Sequence, residues 1–455
     1  MSATDGTEVI RDRVRALMPN ARSDLATLVS HRSIANPELA PRDGNSEAAS
    51  FLEEALAMLE LTIESRDMPD GTRTVIASAS APPDAPTVLL YSHYDVQPPG
   101  DESAWLSDPW ELTDRGGRWY ARGSADSKGN IVAHLTALRA LDGDLRCGIK
   151  VVFEGSEEWP SPGLETFVQE APETLDADAM LIADCGSPAV DEPGLTTSLR
   201  GSVVMVVTVK TLESPVHSGS FGGAAPDALA ALIRILDSFW DERGTATVGQ
   251  PAVPRGWTGK EVPESRFRQD AGVLEGVDLV GDGPLADRIW LRSSITVVGI
   301  DAPAVQGSLP AIPASARARI ALRVPPGVTA KEAEQGLVAQ IRRATPWNAE
   351  VEIVTQAATE PFASPGHGTA FSTFRDAVRD AYGREPTEIG EGGAIPVCSA
   401  FSAAYPSAEI LLYGVEEPLS AIHSPNESVD PGEIERIALA ECLFLMRYAG
   451  VAATG

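Results

Sequence analysis

The chain is poor in cysteine, in lysine and in positive charge overall, and each scarcity excludes a class of protein. Its four cysteines, Cys147, Cys185, Cys398 and Cys442, have neither CxxC spacing nor the density of a disulfide scaffold, so reduced thiols are expected. Lysine occurs only at positions 128, 150, 210, 260 and 331, and 36 basic residues face 65 acidic ones. The resulting formal charge of −29 would repel nucleic acid or an anionic membrane surface, which excludes both as partners. No uninterrupted apolar run is long enough to span a bilayer, and mean hydropathy is −0.06. The first eight residues, Met1 to Glu8, have no basic segment followed by an apolar one. Neither a secretory signal nor a transit peptide is expected, and the implied address is cytoplasmic.

What remains is a chain of 455 residues, enough for a large core and two domains. Helical spacing of apolar residues runs from Thr7 to Leu28, with a break expected at Pro19, and again from Ser46 to Leu59. Short apolar runs then alternate with helical patterns: Thr87 to Tyr91, a helix from Ile131 to Leu141, Gly148 to Phe153, a helix near Leu164 to Glu170, and Ala179 to Ala183. Such alternation predicts a doubly wound α/β fold with a mainly parallel sheet. From about Gly201 the order becomes β-α-β-β-α-β, a split βαβ pattern that predicts an inserted α+β domain over 201–358. Residues 1–200 and 359–455 would together form the first, discontinuous domain. The polar stretch from Arg243 to Gly283 is too long for a plain connection.

Chemistry-bearing residues collect where predicted strands end. Ser92-His93-Tyr94-Asp95 follows the run at Thr87, Arg122-Gly123-Ser124-Ala125-Asp126 precedes a helix, Glu157-Glu158 follows the run at Gly148, and Asp184 follows Ala183. Ligands of α/β sheets gather beyond the carboxyl ends of their strands, so the fold would bring these residues together. Adjacent carboxylates on one turn usually point apart, which lets one of Glu157 and Glu158 hold a metal while the other moves protons.

Together with Ile422-His423-Ser424-Pro425-Asn426-Glu427, these motifs resemble the M20 metallopeptidase family along nearly the whole chain, and its dipeptidase branch in particular. The resemblance implies that His93, Asp126 and Asp184 hold one divalent ion and that Asp126, Glu158 and His423 hold a second. The ions would be zinc, with manganese or cobalt also compatible with mixed nitrogen and oxygen ligation. It implies that Asp95 orients His93, that Glu157 takes a proton from the attacking water and later delivers it to the leaving amine, and that the Asp126–Ser127 peptide bond is cis. In the inserted domain, Ser214-Pro215-Val216-His217-Ser218-Gly219 matches a motif whose histidine acts in the site of the other subunit, which implies a homodimer and a lid or dimerisation role for residues 201–358. Arg323 matches an arginine that grips the substrate carboxylate. Glu391-Gly392-Gly393-Ala394 is similar to a carboxylate-binding loop, with Ala394 standing where some relatives carry serine.

The function implied is hydrolysis of dipeptides or short peptides with a free C-terminal carboxylate. Asp184, and the run from Glu157 through Trp159 to Leu164, favour that reading over an N-acyl-amino-acid amidohydrolase using the same site. A catalytically silent metal-binding or scaffold protein is the alternative of another class, and the full set of ligands with Glu157 argues against it. The remaining histidines have bland readings: His134 inside a helix as a packing or surface residue, and His31 and His367 as structural. Cys185 beside Asp184 reads as a small buried residue. Trp105, Trp110 and Trp119 read as packing residues, and Lys128 either pairs with a carboxylate or is merely solvated.

Overall fold

The computed structural model describes residues 3–143, 145–159, 163–251 and 256–452. It divides into two compact units, one of residues 1–197, 364–389 and 395–455, the other of 198–363 and 390–394. In chain order the elements that matter are α1 (Ala3–Ser30), α2 (Asp43–Ala57), β1 (Arg73–Ala79), β2 (Thr87–His93), α3 (Lys128–Leu141), β3 (Gly148–Glu154) and β4 (Ala179–Ala183). The second unit contributes β5 (Gly201–Lys210), α4 (Ala228–Asp237), β6 (Ser294–Asp301), β7 (Ser315–Val324), α5 (Ala330–Ala344) and β8 (Glu350–Thr359). The chain then returns to the first unit with α6 (Thr369–Tyr382), β9 (Glu409–Tyr413) and α7 (Pro431–Ala452).

In the first unit the sheet runs β1-β3-β2-β4-β9. The pairs β3–β2, β2–β4 and β4–β9 are parallel and β1–β3 is antiparallel. β2 lies between β3 and β4, so the chain leaves it to one side through α3 and then crosses to the other, which makes the carboxyl end of β2 the switch point where a cleft opens. Both faces of β2 are covered. Val88 and Leu90 belong to the core shared with α1, α3, α6 and α7, whereas the Tyr91 ring meets Phe401 edge to face at 6.2 Å on the other side. Burial on two faces explains why these strands read as continuous apolar runs.

Pro19 does not break α1. Val14, Ala21, Leu25 and Leu28 on either side of it are fully buried in the common core, and that packing outweighs the hydrogen bond a proline forfeits. α3 stops at Asp142, which turns left-handed at φ 45°.

The second unit is a four-stranded antiparallel sheet in the order β6-β7-β5-β8, carrying α4 and α5. β5 alternates buried and half-buried residues, and its buried set Val203, Met205, Val207 and Val209 packs with Leu232, Ile235, Leu337 and Ile341 of the helices. Asp227 caps α4, and Thr329 with Glu332 forms a reciprocal capping box on α5. The stretch 243–283 includes a short helix, Glu264–Asp270. Among the described residues no helix is long and apolar enough to cross a membrane.

Candidate metal centre and catalytic residues

His93 is the last residue of β2, and its Nε2 lies 3.0 Å from Asp126 Oδ1 and 3.0 Å from Asp184 Oδ1. His423 Nε2 lies 3.0 Å from Asp126 Oδ2 and 2.9 Å from Glu158 Oε1. The two oxygens of Asp126 are thus divided between two histidines. Each triad, His93-Asp126-Asp184 and Asp126-Glu158-His423, offers ligand atoms within 4.8 Å of one another. Two imidazoles with three carboxylates, one shared, form a donor set that suits a pair of divalent cations. The electrostatics point the same way. Hydrogen bonds to Asp126 and Glu158 raise His423 to about 10. Burial disfavours a charged His93, but Asp184 and Asp126 outweigh it and lift its pKa well above the usual value. The site demands positive charge at the positions of both Nε2 protons.

Glu157 has a different setting. Burial, reinforced by nearby Asp184, pushes its carboxyl well above the usual range. A carboxyl so placed can hold a proton and return it. Burial also raises Asp184, to about 6. The Asp126–Ser127 peptide bond is cis.

Asp95 does more than orient a histidine. His93 Nδ1 lies 3.1 Å from the Asp95 backbone carbonyl and 3.4 Å from its carboxylate. The carboxylate itself accepts the N–H groups of Glu157 and Glu158, both at 3.0 Å, and so fixes the turn on which those two glutamates sit. Gln97, legible only as part of the motif after β2, donates to Glu158 Oε2 at 2.9 Å. Glu427 was legible only as part of a motif. Buried completely, it accepts from Ala125 N and Asp126 N through one oxygen and from Gly123 N and the Arg122 guanidinium through the other. Among the described residues Lys128 forms no ion pair: its ammonium is buried and donates to the carbonyls of Leu28 (2.8 Å) and His31 (3.0 Å) at the end of α1, and burial lowers it to about 7.

His134 is fully buried, with Nδ1 3.0 Å from Glu441 and Nε2 3.2 Å from the Tyr91 carbonyl. His31 lies 3.1 Å from Glu47, and His367 is exposed. All four cysteines are buried, and none is in a disulfide among the described residues. Trp105, Trp110 and Trp119 are buried. Beside Glu158 a cavity of about 180 Å³ is lined by Ile34, Leu39, Val96, Pro98 and Trp159. Pro160, Ser161 and Pro162, which continue the run after Trp159, lie outside the described residues.

His217, Arg323 and Gly392–Ala394 belong to the second unit. His217 is exposed, and its Nδ1 accepts from Gly219 N (3.1 Å) and Ser220 N (3.2 Å). That fixes the neutral ring's proton on Nε2, which faces outward as a donor. Arg323, on β7, has Arg200 as a close neighbour of like charge. Arg200 escaped the sequence reading. Burial, then Arg323, lower it to about 10 against the opposing pull of Glu391. The N–H groups of Gly392 and Gly393 both turn to Glu391 Oε1, at 2.6 and 3.3 Å. A Cβ at Gly392 would stand 2.9 Å from the end of the Arg200 guanidinium, so a larger residue there would displace that side chain.

Comparison with known proteins agrees with this geometry. Residues 89–447 match the model of peptidase family M20/M25/M40. The chain is 43% identical over 443 residues to a cysteinylglycine-S-conjugate dipeptidase of Corynebacterium striatum, covering 95% of this chain and 97% of that one. It is 28% identical over 393 residues to the Beta-Ala-His dipeptidase of Rattus norvegicus, covering 80% and 79% of the two chains. The crystal structure of human carnosine dipeptidase 1 superposes with a TM-score of 0.81 at 23% identity, over 98% of this chain and 99% of that one.

Proposed function

This chain belongs to peptidase family M20/M25/M40, and from that premise we propose that it is a metal-dependent dipeptidase acting on substrates with a free C-terminal carboxylate. The observation that carries the reading is the pair of triads sharing Asp126, with Glu157 beside them and outside both. His93, Asp126 and Asp184 hold one divalent ion and Asp126, Glu158 and His423 the other; zinc is the first choice, with manganese and cobalt compatible. When bound, the ions polarise the scissile carbonyl and bring the acidity of water toward a pKa of roughly 7.

The chain's own residues do the rest. Glu157 takes the proton of the attacking water and passes it to the departing amine, a task its raised pKa supports. Asp95 holds the Glu157–Glu158 turn in place. The second unit serves as lid and dimerisation domain, and His217 donates its Nε2–H to the scissile carbonyl in the other subunit of a homodimer. Arg323, backed by Arg200, attracts the substrate carboxylate, and the loop of Gly392, Gly393 and Ala394 adds to that site, with Gly392 beside the Arg200 guanidinium. The cavity beside Glu158, whose lining mixes Ile34, Val96 and Trp159 with the polar Asn36, Asp95 and Gln97, receives the side chain of the amino-terminal residue.

The deciding experiment uses protein stripped with chelator, reconstituted with zinc, manganese or cobalt, and assayed on free dipeptides and on the matching N-acetyl amino acids. Metal-dependent cleavage of the dipeptides is expected. A Glu157→Gln variant should bind metal normally and lose about 10²- to 10⁴-fold in turnover, the usual contribution of a general base. Cleavage of the N-acetyl series alone would overturn the reading.

A further inference from the structure

The first triad draws its ligands from three separate segments, and the neighbour of each ligand meets at one hydroxyl. Ser92 precedes His93, Ser127 follows Asp126, and Ala183 precedes Asp184. Ser127 Oγ donates to the Ala183 carbonyl at 3.2 Å, lies 2.7 Å from Ser92 Oγ, and accepts from Asn130 Nδ2 at 3.0 Å. A hydroxyl has one proton and two lone pairs. With its proton on the carbonyl, Ser127 accepts from Asn130 and Ser92, and the Ser92 hydroxyl also reaches the Ser127 carbonyl at 3.2 Å, so the two serines are joined twice. Ser92, Ser127 and Asn130 are all completely buried, so water cannot substitute for any of them.

Asn130 extends the joint to the end of a fourth segment. Its Oδ1 accepts from Val415 N at 2.9 Å and its Nδ2 also donates to Glu416 Oε1 at 2.6 Å, just beyond the carboxyl end of β9. The ends of β2, β4 and β9 and the start of α3 are thereby tied together through two bonded side chains, Ser127 and Asn130. Backbone pairing holds His93 beside Glu154 and Asp184 beside Tyr413, but Asp126 lies in the turn before α3, outside that sheet. A side-chain joint there sets the spacing of the ligands.

We infer that Ser127, with Ser92 and Asn130, is the positioning residue of the first triad: its hydroxyl holds His93, Asp126 and Asp184 at the separation a divalent ion requires. The inference rests on the two-ion reading of the site. Groups that orient ligands without touching the metal typically contribute 10- to 100-fold in metal affinity or activity, and an alanine at 127 would remove all three of the hydroxyl's hydrogen bonds at a cost of only one oxygen atom.

The test is cobalt binding to chelator-stripped full-length protein, read by titration calorimetry and by the visible absorption of the bound ion, with Ser127→Ala and Ser92→Ala beside the wild type. Wild type should take up two equivalents. Ser127→Ala should bind one equivalent unchanged and the other about 10- to 100-fold more weakly, with an altered absorption band. Its kcat should fall while KM holds. Ser92→Ala, which leaves the bonds to Asn130 and Ala183, should show a smaller loss at the same equivalent and serves as the measurement if Ser127→Ala fails to fold. Two equivalents bound by both variants with wild-type affinity and spectrum would overturn the inference, whatever their thermal stability. Wild-type protein that binds no cobalt would overturn the metal reading itself, and the positioning role with it.

Discussion

Glu427 accepts the backbone N–H of Asp126 at 3.1 Å across 301 residues of sequence, which locks the segment carrying the shared aspartate to the segment carrying His423. Asp95 does the same for the other acidic segment through Glu157 N and Glu158 N. Each histidine segment, His93 with Asp95 and His423 with Glu427, therefore supplies a carboxylate that grips the backbone of an acidic turn.

Removing the Glu427 grip should cost stability before it costs chemistry. Glu427→Ala strands the Arg122 guanidinium, 1% exposed, and three backbone N–H groups. Breaking a buried ion pair by deleting one partner costs about 3–5 kcal/mol. Denaturant unfolding of the metal-free protein should show a loss of that order, and Glu427→Gln, which keeps one acceptor oxygen, a smaller one. A change below about 1 kcal/mol in the alanine variant would mean that the loop holds its shape without the carboxylate.

Metal uptake should release protons. Each Nε2 of His93 and His423 lies about 3 Å from two carboxylate oxygens, so without a cation it carries a proton. Carboxylate partners raise both rings above the ordinary histidine value, His423 to about 10. The metal-free site therefore favours the protonated form of both rings, and ions must displace those protons. Calorimetric titration in two buffers of different ionisation enthalpy should report about two protons released per subunit, and affinity should fall as pH is lowered. No buffer dependence would show the rings already deprotonated at Nε2.

How far the sequence carried the reading depended on distance along the chain. His93, Glu158 and Asp184 were legible as candidates because a parallel strand buried on both faces writes itself as an apolar run, and its end announces where ligands gather; Asp126 was legible as part of a motif before a helix. Glu427's grip on Asp126 and the position of Arg200 beside Arg323 were not, because both depend on contacts between residues far apart in sequence, and no periodicity encodes such a register. Pro19 misled for the same reason: local propensity argued for a break, and burial of Val14, Ala21 and Leu25 decided otherwise.

Arg323 should separate binding from turnover. Arg200 and Arg323 are like charges held close, which an anionic ligand would relieve. Arg323→Met should raise KM for free dipeptides about 10-fold or more, the equivalent of a lost charge-assisted hydrogen bond, with little change in metal content. Dipeptide amides, which lack the carboxylate, should be poor substrates of the wild type and be affected much less by the substitution. Equal losses on both series would remove Arg323 from carboxylate binding.

His217 offers a test that the architecture makes unambiguous. Its Nδ1 is occupied by Gly219 N and Ser220 N, so the outward Nε2–H is the one group it can offer a substrate carbonyl. If that donor works in the other subunit's site, a mixed dimer of the two variants carries the His217 defect and the Glu157 defect in the same active site and leaves the other site intact. Homodimers of His217→Ala should lose about 10²- to 10³-fold, as when one transition-state donor is deleted, with metal content unchanged. Glu157→Gln homodimers should also be nearly inactive. Co-refolding the two variants should regenerate activity, because one site of each mixed dimer then has Glu157 from its own chain and His217 of the partner subunit. If His217 acts within its own chain, every site in the mixture still carries one defect and activity stays at the level of the parents. Comparing the mixture with either variant alone distinguishes the two arrangements in a single assay.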